Sequence, residues 1–88
     1  MEHFVYILFS ENLNTYYKGY STDVFKRLQQ HNAGMSNYTR KGIPWKLVYY
    51  EKCLDKKSAL IRERKLKHAN RNYIRWLIQS DKNLLNKI

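Results

Sequence analysis

The chain has 88 residues, a length that fits one domain with a modest hydrophobic core. Its 17 Lys and Arg against seven Asp and Glu give a formal net charge of +10. That charge favours a polyanionic partner, nucleic acid ahead of an anionic membrane; a basic protein with no such partner is the alternative. A 43% hydrophobic fraction excludes a disordered tail, and a single cysteine, Cys53, excludes an intrachain disulfide and a zinc site built on paired cysteines.

The apolar run nearest the start, residues 4–9, is too short to span a bilayer and has no cleavage pattern. We therefore expect no membrane insertion and a cytoplasmic location. The sequence names no protein partner.

Residues 3–9, HFVYILF, are rich in β-branched and aromatic side chains and predict a central strand. ENLN at 11–14 supplies a turn, and TYYKGYS at 15–21 predicts the second strand of a hairpin. A turn at 11–14 pairs Leu8 with Tyr17 and places Tyr6 on the same sheet face as Tyr17. Tyr16 and Tyr20 then point to the opposite face, where we expect them to pack.

Residues 22–34 predict a helix capped by Ser21 or Thr22, with Asp23 in its first turn. Gly34 is expected to end it. We expect its core-facing stripe to consist of Val24, Phe25 and Leu28.

A polar, basic loop follows at 35–45, then a third strand at 46–53. Residues 55–69 predict a helix beginning at an Asp55 cap, and residues 71–79 a final helix capped by Asn70. We expect this last helix to close the core with Tyr73, Ile74, Trp76, Leu77 and Ile78. The predicted fold is α+β, a small three-stranded antiparallel sheet flanked by helices in the order β-β-α-β-α-α. We place one domain at 1–80 and a short tail at 81–88.

Glu63 is the most informative charged residue. On the predicted helix it lies within an apolar stripe formed by Ala59, Leu60 and Leu66. A carboxylate there is costly unless it meets a cation. The two candidates are Lys67, one helical turn away, and a hard Mg²⁺ or Mn²⁺ ion held by one carboxylate, waters and a substrate phosphate.

Several short motifs occur together in a fixed order. VYI at 5–7 and YKG at 17–19 are followed by RLQQH at 27–31, KLVYYE at 46–51 and RERKLK at 62–67. The set resembles the GIY-YIG nuclease domain over essentially the whole chain, and is most similar to its small stand-alone bacterial members. Two positions depart from the family pattern: VYI stands for GIY, and Lys18 replaces an isoleucine.

The resemblance implies a metal-dependent endonuclease that hydrolyses a phosphodiester in one step. It places the functional tyrosines at Tyr6 and Tyr17, the arginine at Arg27 and the metal-binding glutamate at Glu63, with His31 as a recurrent helper. A late polar residue of the family site corresponds to Asn70 or Asn72.

Phosphodiester cleavage needs a deprotonated water, a cation on the phosphoryl oxygens and help for the leaving oxygen. We favour Tyr6 as the general base with His31 relaying its proton, and Tyr17 as the residue that orients water or phosphate; the reverse assignment is open. Arg27 and His31 share one side of a helix. Arg27 is expected to clamp a phosphate oxygen, or to be solvated; His31 can also serve as a C-terminal cap.

Gly19 is expected to let backbone or substrate approach the two phenols, or to mark a bulge. Lys18, Arg40, Lys41 and Lys67 are the expected nucleic-acid contacts. In the loop at 35–45, cations alternate with Tyr38 and Trp45, a pattern that suits a single strand or a distorted duplex, although packing is the more expected role for Trp45.

Two functions follow from these residues. The first is a metal-dependent endonuclease acting on DNA, or RNA, with structure-directed or weak selectivity, in DNA repair or recombination. The second is a nucleic-acid-binding module of the same fold without catalysis, which would have no need of an inward carboxylate among cations.

Overall fold

The computed structural model describes residues 1–87. Its elements follow the order β-β-α-β-α-α, so the predicted α+β fold is confirmed. The strands are β1 (His3–Ser10), β2 (Thr15–Ser21) and β3 (Trp45–Cys53). The helices are α1 (Val24–Asn32), α2 (Lys56–Lys67) and α3 (Arg71–Gln79). Two short 3₁₀ helices lie at Arg40–Gly42 and Leu84–Lys87.

The sheet is antiparallel with β1 in the centre, in the order β2-β1-β3. Leu8 pairs with Tyr17, which confirms the predicted hairpin register, and Tyr6 therefore faces Gly19 directly. Strand β1 is apolar on both sides because helices or loops cover both sheet faces.

Alternate residues of β1 enter two different cores. Val5 and Ile7 pack with α2 and α3, while Tyr6 and Leu8 pack with α1 and the loop before β3. Tyr16 and Tyr20 border the first core, as predicted, so β2 presents only Tyr17 to the second. The second core carries the candidate chemistry.

Helix starts follow the sequence closely, with one exception. Asp55 accepts a hydrogen bond from the Ser58 amide at 2.8 Å, and Asn70 accepts one from the Tyr73 amide at 2.8 Å, so both predicted caps are confirmed. The prediction for α1 was wrong by one or two residues: Asp23 itself is the N-cap. Aspartate is a strong N-cap because its carboxylate accepts from an otherwise unpaired amide.

Some residues predicted to be buried are exposed. Phe25 is 53% exposed and packs edge-on against Tyr50, with ring centroids 5.6 Å apart. Trp76 is 55% exposed and stacks on Tyr73, which is exposed too, contrary to its predicted place in the core; Leu60 is also exposed. Short helices present one narrow stripe to the sheet, so only part of each predicted apolar face reaches the core.

Asn83 links the residues after α3 to the sheet. Its buried side-chain amide donates to the backbone carbonyls of Val48 at 2.8 Å and Ile78 at 2.9 Å, and its oxygen accepts from the Leu85 amide at 3.1 Å. The domain boundary after residue 80 stays a prediction. The predicted tail at 81–88 includes residue 88, which lies outside the described residues. None of the helices described in 1–87 is long and apolar enough to cross a membrane.

Candidate active site

Two consecutive hydrogen bonds in the second core join strand β1, helix α1 and the loop that follows α1. The Tyr6 hydroxyl lies 3.0 Å from His31 Nε2, and His31 Nδ1 lies 2.8 Å from Thr39 Oγ1. Tyr6 comes from β1, His31 from the last turn of α1 and Thr39 from the following loop. All three are buried, so each depends on the next for its polar partner.

The pKa values of Tyr6 and His31 define the resting protonation of this hydrogen-bonded row. Burial, and then the neighbouring Tyr17 phenol, raise the pKa of Tyr6 to about 12, so its hydroxyl holds a proton at neutral pH. Burial, and then the nearby Arg27 guanidinium, lower the pKa of His31, which keeps the imidazole neutral. In the neutral tautomer that is protonated at Nδ1, Tyr6 donates to Nε2 and Nδ1–H donates to Thr39.

Gly19 makes room for the Tyr6 ring. A Cβ atom at this position would lie 2.5 Å from both Cζ and the hydroxyl oxygen of Tyr6, far inside van der Waals contact. Since Tyr6 faces Gly19 across the strand pair, its ring lies over the glycine and reaches His31. This close approach explains why the stretch TYYKGYS combines tyrosines with one glycine; substrate contact at Gly19 stays a prediction.

Tyr17 lies beside the same histidine. Its ring centroid is 5.0 Å from that of His31, 6.4 Å from that of Tyr6 and 6.2 Å from that of Trp45. Unlike Tyr6 it is only half-buried. The two phenols therefore share one aromatic cluster but differ in their access to solvent.

Arg27 and Glu63 bring opposite charges to the Tyr6 phenol. Burial has the largest effect on the pKa of Tyr6; the Arg27 guanidinium lowers this pKa and the Glu63 carboxylate raises it. Arg27 also donates to Gln30 Oε1 at 3.0 Å, so it is partly held rather than free in solvent. Glu63 is 18% exposed in its side chain, and Lys67 Nζ lies 3.4 Å from one of its oxygens.

Tyr6, Tyr17 and His31 therefore meet in one cluster, and the charges of Arg27 and Glu63 act on the Tyr6 phenol. The catalytic roles of these five residues stay predictions. The predicted nucleic-acid contacts divide into two groups. Lys18 and Lys67 line a cleft next to Tyr17, while Arg40 turns back to the Gly34 carbonyl at 3.0 Å and Lys41 is exposed on the 3₁₀ turn.

The two asparagine candidates for a late polar residue lie at the start of α3. The side chain of Asn70 is engaged as the helix cap, and Asn72 is exposed in the first turn. The correspondence of either one to the family residue stays a prediction.

Sequence reasoning missed two polar side chains that hold this site. Thr39 orients His31, and its backbone carbonyl accepts from Trp45 Nε1 at 2.7 Å. Asn32 binds the Trp45 backbone through both side-chain atoms, at 3.0 and 2.7 Å, which fixes α1 against the start of β3. Neither residue lies in a periodic pattern, so only the presence of polar residues near the helix end could have suggested them.

Comparison with known proteins identifies the family. The model of the GIY-YIG catalytic domain matches residues 2–76. The chain belongs to the GIY-YIG family.

Similar members come from bacteria and archaea. The chain is 39% identical over 82 residues to a UPF0213 protein of Listeria monocytogenes serotype 4b, with 91% of each chain covered. It is 44% identical over 71 residues to a UPF0213 protein of Haloquadratum walsbyi, with 78% of each covered. The solution NMR structure of the UPF0213 protein of Bacillus halodurans matches with a TM-score of 0.58 at 32% identity, covering 97% of this chain and 90% of that one.

A GIY-YIG domain is a nuclease-family domain and implies a nucleic-acid substrate, and nucleases of this family are generally dependent on a divalent metal. The donor set of this chain fits such an ion in one specific way. No cluster of three or more His, Cys, Asp or Glu side chains occurs within residues 1–87, so an all-protein cage is excluded there. Glu63 offers one mostly buried carboxylate, which suits Mg²⁺ or Mn²⁺, because these ions take one or two carboxylates and complete their shell with waters and phosphate.

Proposed function

We propose that this GIY-YIG protein is a metal-dependent endonuclease that hydrolyses phosphodiester bonds in DNA, with RNA as the alternative substrate. The observation that carries the proposal is the hydrogen-bonded pair of Tyr6 and His31, beside which Arg27 and Glu63 both act on one phenol. A buried structural tyrosine also needs a hydrogen-bond partner, but it does not need a guanidinium and a carboxylate of opposite charge around it. We further propose structure-directed or weak selectivity, a role in DNA repair or recombination, and a cytoplasmic location.

In the proposed reaction, the Tyr6 oxygen takes a proton from the attacking water as its own proton passes to His31 Nε2. Thr39 keeps the imidazole in the tautomer that leaves Nε2 free to accept it. Because the resting phenol has a pKa of about 12, this transfer is coupled to the attack rather than preceded by a stable phenolate.

The other residues act on the phosphate. Arg27 binds a non-bridging oxygen and stabilises the charge that develops in the transition state. Glu63 would hold the divalent ion, which supplies Lewis-acid polarisation of the phosphoryl oxygens when bound. Tyr17, the more accessible phenol, orients water or phosphate.

The test is a cleavage panel with Mg²⁺, Mn²⁺ or EDTA on single strands, nicked duplex, flaps, branched junctions and RNA. We expect metal-dependent cleavage of at least one DNA substrate. Tyr6→Phe should lower the rate by roughly 10²–10⁴-fold if Tyr6 is the base. A larger loss in Tyr17→Phe than in Tyr6→Phe would reverse the two roles, and equal activity in wild type and both variants would indicate a contaminant.

The second candidate function is a nucleic-acid-binding module without catalysis. It is favoured by one observation, the ion pair between Glu63 and Lys67 at 3.4 Å, which satisfies the carboxylate without a metal. This function predicts steeply salt-dependent binding, no cleavage of any substrate in the panel, and unchanged or tighter binding by Glu63→Ala.

A further inference from the structure

A cleft with a volume of about 760 Å³ opens beside the candidate active site. It is lined by Tyr17 and Trp45, which also belong to the second core, and by Leu13 of the hairpin turn, which adds apolar surface. The volume is larger than one nucleotide needs. The proposed chemistry uses Tyr17 but leaves the rest of this space without a role.

Tyr38 is the unusual residue of the cleft. It is 86% exposed, although tyrosine is a large side chain that normally buries most of its ring. Its ring centroid lies 6.1 Å from that of Tyr17, at an interplanar angle of 54°. The packing of the described residues leaves the Tyr38 ring largely open to solvent. An exposed aromatic face beside a cleft is the surface on which an unpaired base stacks.

Two lysines give the cleft its charge. Lys18 and Lys67 both line it, and Lys67 also reaches Glu63 at 3.4 Å, so the cleft and the candidate metal ligand share one side chain. Burial, and then the neighbouring Arg71, lower the pKa of Lys18, as expected for an ammonium group that lacks an anion. A phosphate at this position would supply that anion.

We propose that the cleft binds an unpaired nucleobase of a DNA strand, stacked on Tyr38, with the flanking phosphates on Lys18 and Lys67. Its place next to the scissile phosphate rests on the proposed nuclease function. A base inside a continuous duplex has both faces covered by its neighbours, so it has no free face for Tyr38. The substrate class is therefore a strand that is unpaired beside the cleaved bond, as in single strands, flaps or gaps.

The test measures equilibrium binding by fluorescence anisotropy in EDTA, so that turnover plays no part. The probes are a labelled single strand of DNA and the same strand carrying abasic sites. Tyr38→Ala should weaken binding of the normal strand by roughly 5- to 100-fold, since stacking on an aromatic ring contributes that much per base. Binding of the abasic strand should change little, Tyr38→Phe should bind as wild type, and Trp76→Ala, an exposed aromatic outside the cleft lining, should have no effect.

Three results would overturn the proposal: equal losses on normal and abasic strands in Tyr38→Ala, a blunt duplex that binds as tightly as the single strand, or wild-type affinity in Tyr38→Ala. An RNA strand that binds more tightly than its DNA counterpart would overturn the assignment to DNA. The binding test is independent of the proposed nuclease function. A protein that cleaves nothing in Mg²⁺ or Mn²⁺ contradicts the nuclease function, but it can still bind the single strand through Tyr38.

Discussion

Replacing Gly19 by alanine should damage both stability and activity through one contact. The added Cβ would lie 2.5 Å from the Tyr6 ring carbon Cζ and hydroxyl, and Tyr6 is 1% exposed, so the ring has little space to move away. Overpacking of this kind costs about 1–3 kcal/mol. If the ring shifts off His31, the lost hydrogen bond adds about 0.5–1.5 kcal/mol. We therefore expect the free energy of unfolding to fall by about 1.5–4.5 kcal/mol.

Urea unfolding and cleavage rates separate the two effects when Gly34→Ala is the control. Gly34 has a φ of +77°, and a Cβ there meets the Arg40 side chain only at 3.7 Å, so the change strains the backbone without touching Tyr6. It should cost about 1–2 kcal/mol. At a temperature where both variants are fully folded, only Gly19→Ala should lose cleavage. Wild-type stability with full activity in Gly19→Ala would refute the proposed close packing.

Three further predictions concern polar side chains. Because burial lowers the pKa of His31, cleavage should fall on acidification with a midpoint below pH 6.5, where the imidazole charges; stability should fall over the same acidic range, since the unfolded chain binds that proton more readily. A pH–rate profile with its midpoint above 6.5 would contradict this. Thr39→Val removes the hydroxyl that hydrogen-bonds to His31 Nδ1 and should cost about 1–3 kcal/mol with a lower rate, both restored in Thr39→Ser. Asn83→Ala should cost about 2–4 kcal/mol in urea unfolding yet leave the cleavage rate unchanged, because its partners lie on β3 and α3.

The sequence was a good guide wherever the decisive interaction is local. The register of the β1–β2 hairpin follows from a four-residue turn, and the caps at Asp55 and Asn70 follow from residue type and position. The partly buried position of Glu63 follows from helical periodicity, since its neighbours Ala59 and Leu66 are both buried.

The remaining features depend on contacts between distant segments. Tyr6 and His31 are 25 residues apart, and no periodicity in either element specifies that their polar atoms meet. Thr39 lies in an irregular loop, where a buried hydroxyl has no sequence signature. Phe25 and Trp76 are hydrophobic and are therefore predicted to lie in the core, yet both are exposed. Hydrophobicity alone does not say which side of a short helix faces the sheet.

The role of Glu63 decides between the two candidate functions. Its carboxylate has one lysine partner, Lys67, whose own side chain is 55% exposed and can therefore leave for solvent or for a phosphate. An ion at this position would compete with that lysine for the same oxygen. The proposed nuclease function requires that the ion displaces Lys67 from the Glu63 carboxylate when substrate is bound.

The most direct measurement is the single-turnover cleavage rate of Glu63→Gln in Mg²⁺, beside wild type and the exposed turn variant Glu11→Gln. If Glu63 holds the metal ion, the rate should fall at least roughly 100-fold in Glu63→Gln, with unchanged melting, and should not fall in Glu11→Gln. A folded Glu63→Gln protein that cleaves as fast as wild type would contradict this role of Glu63.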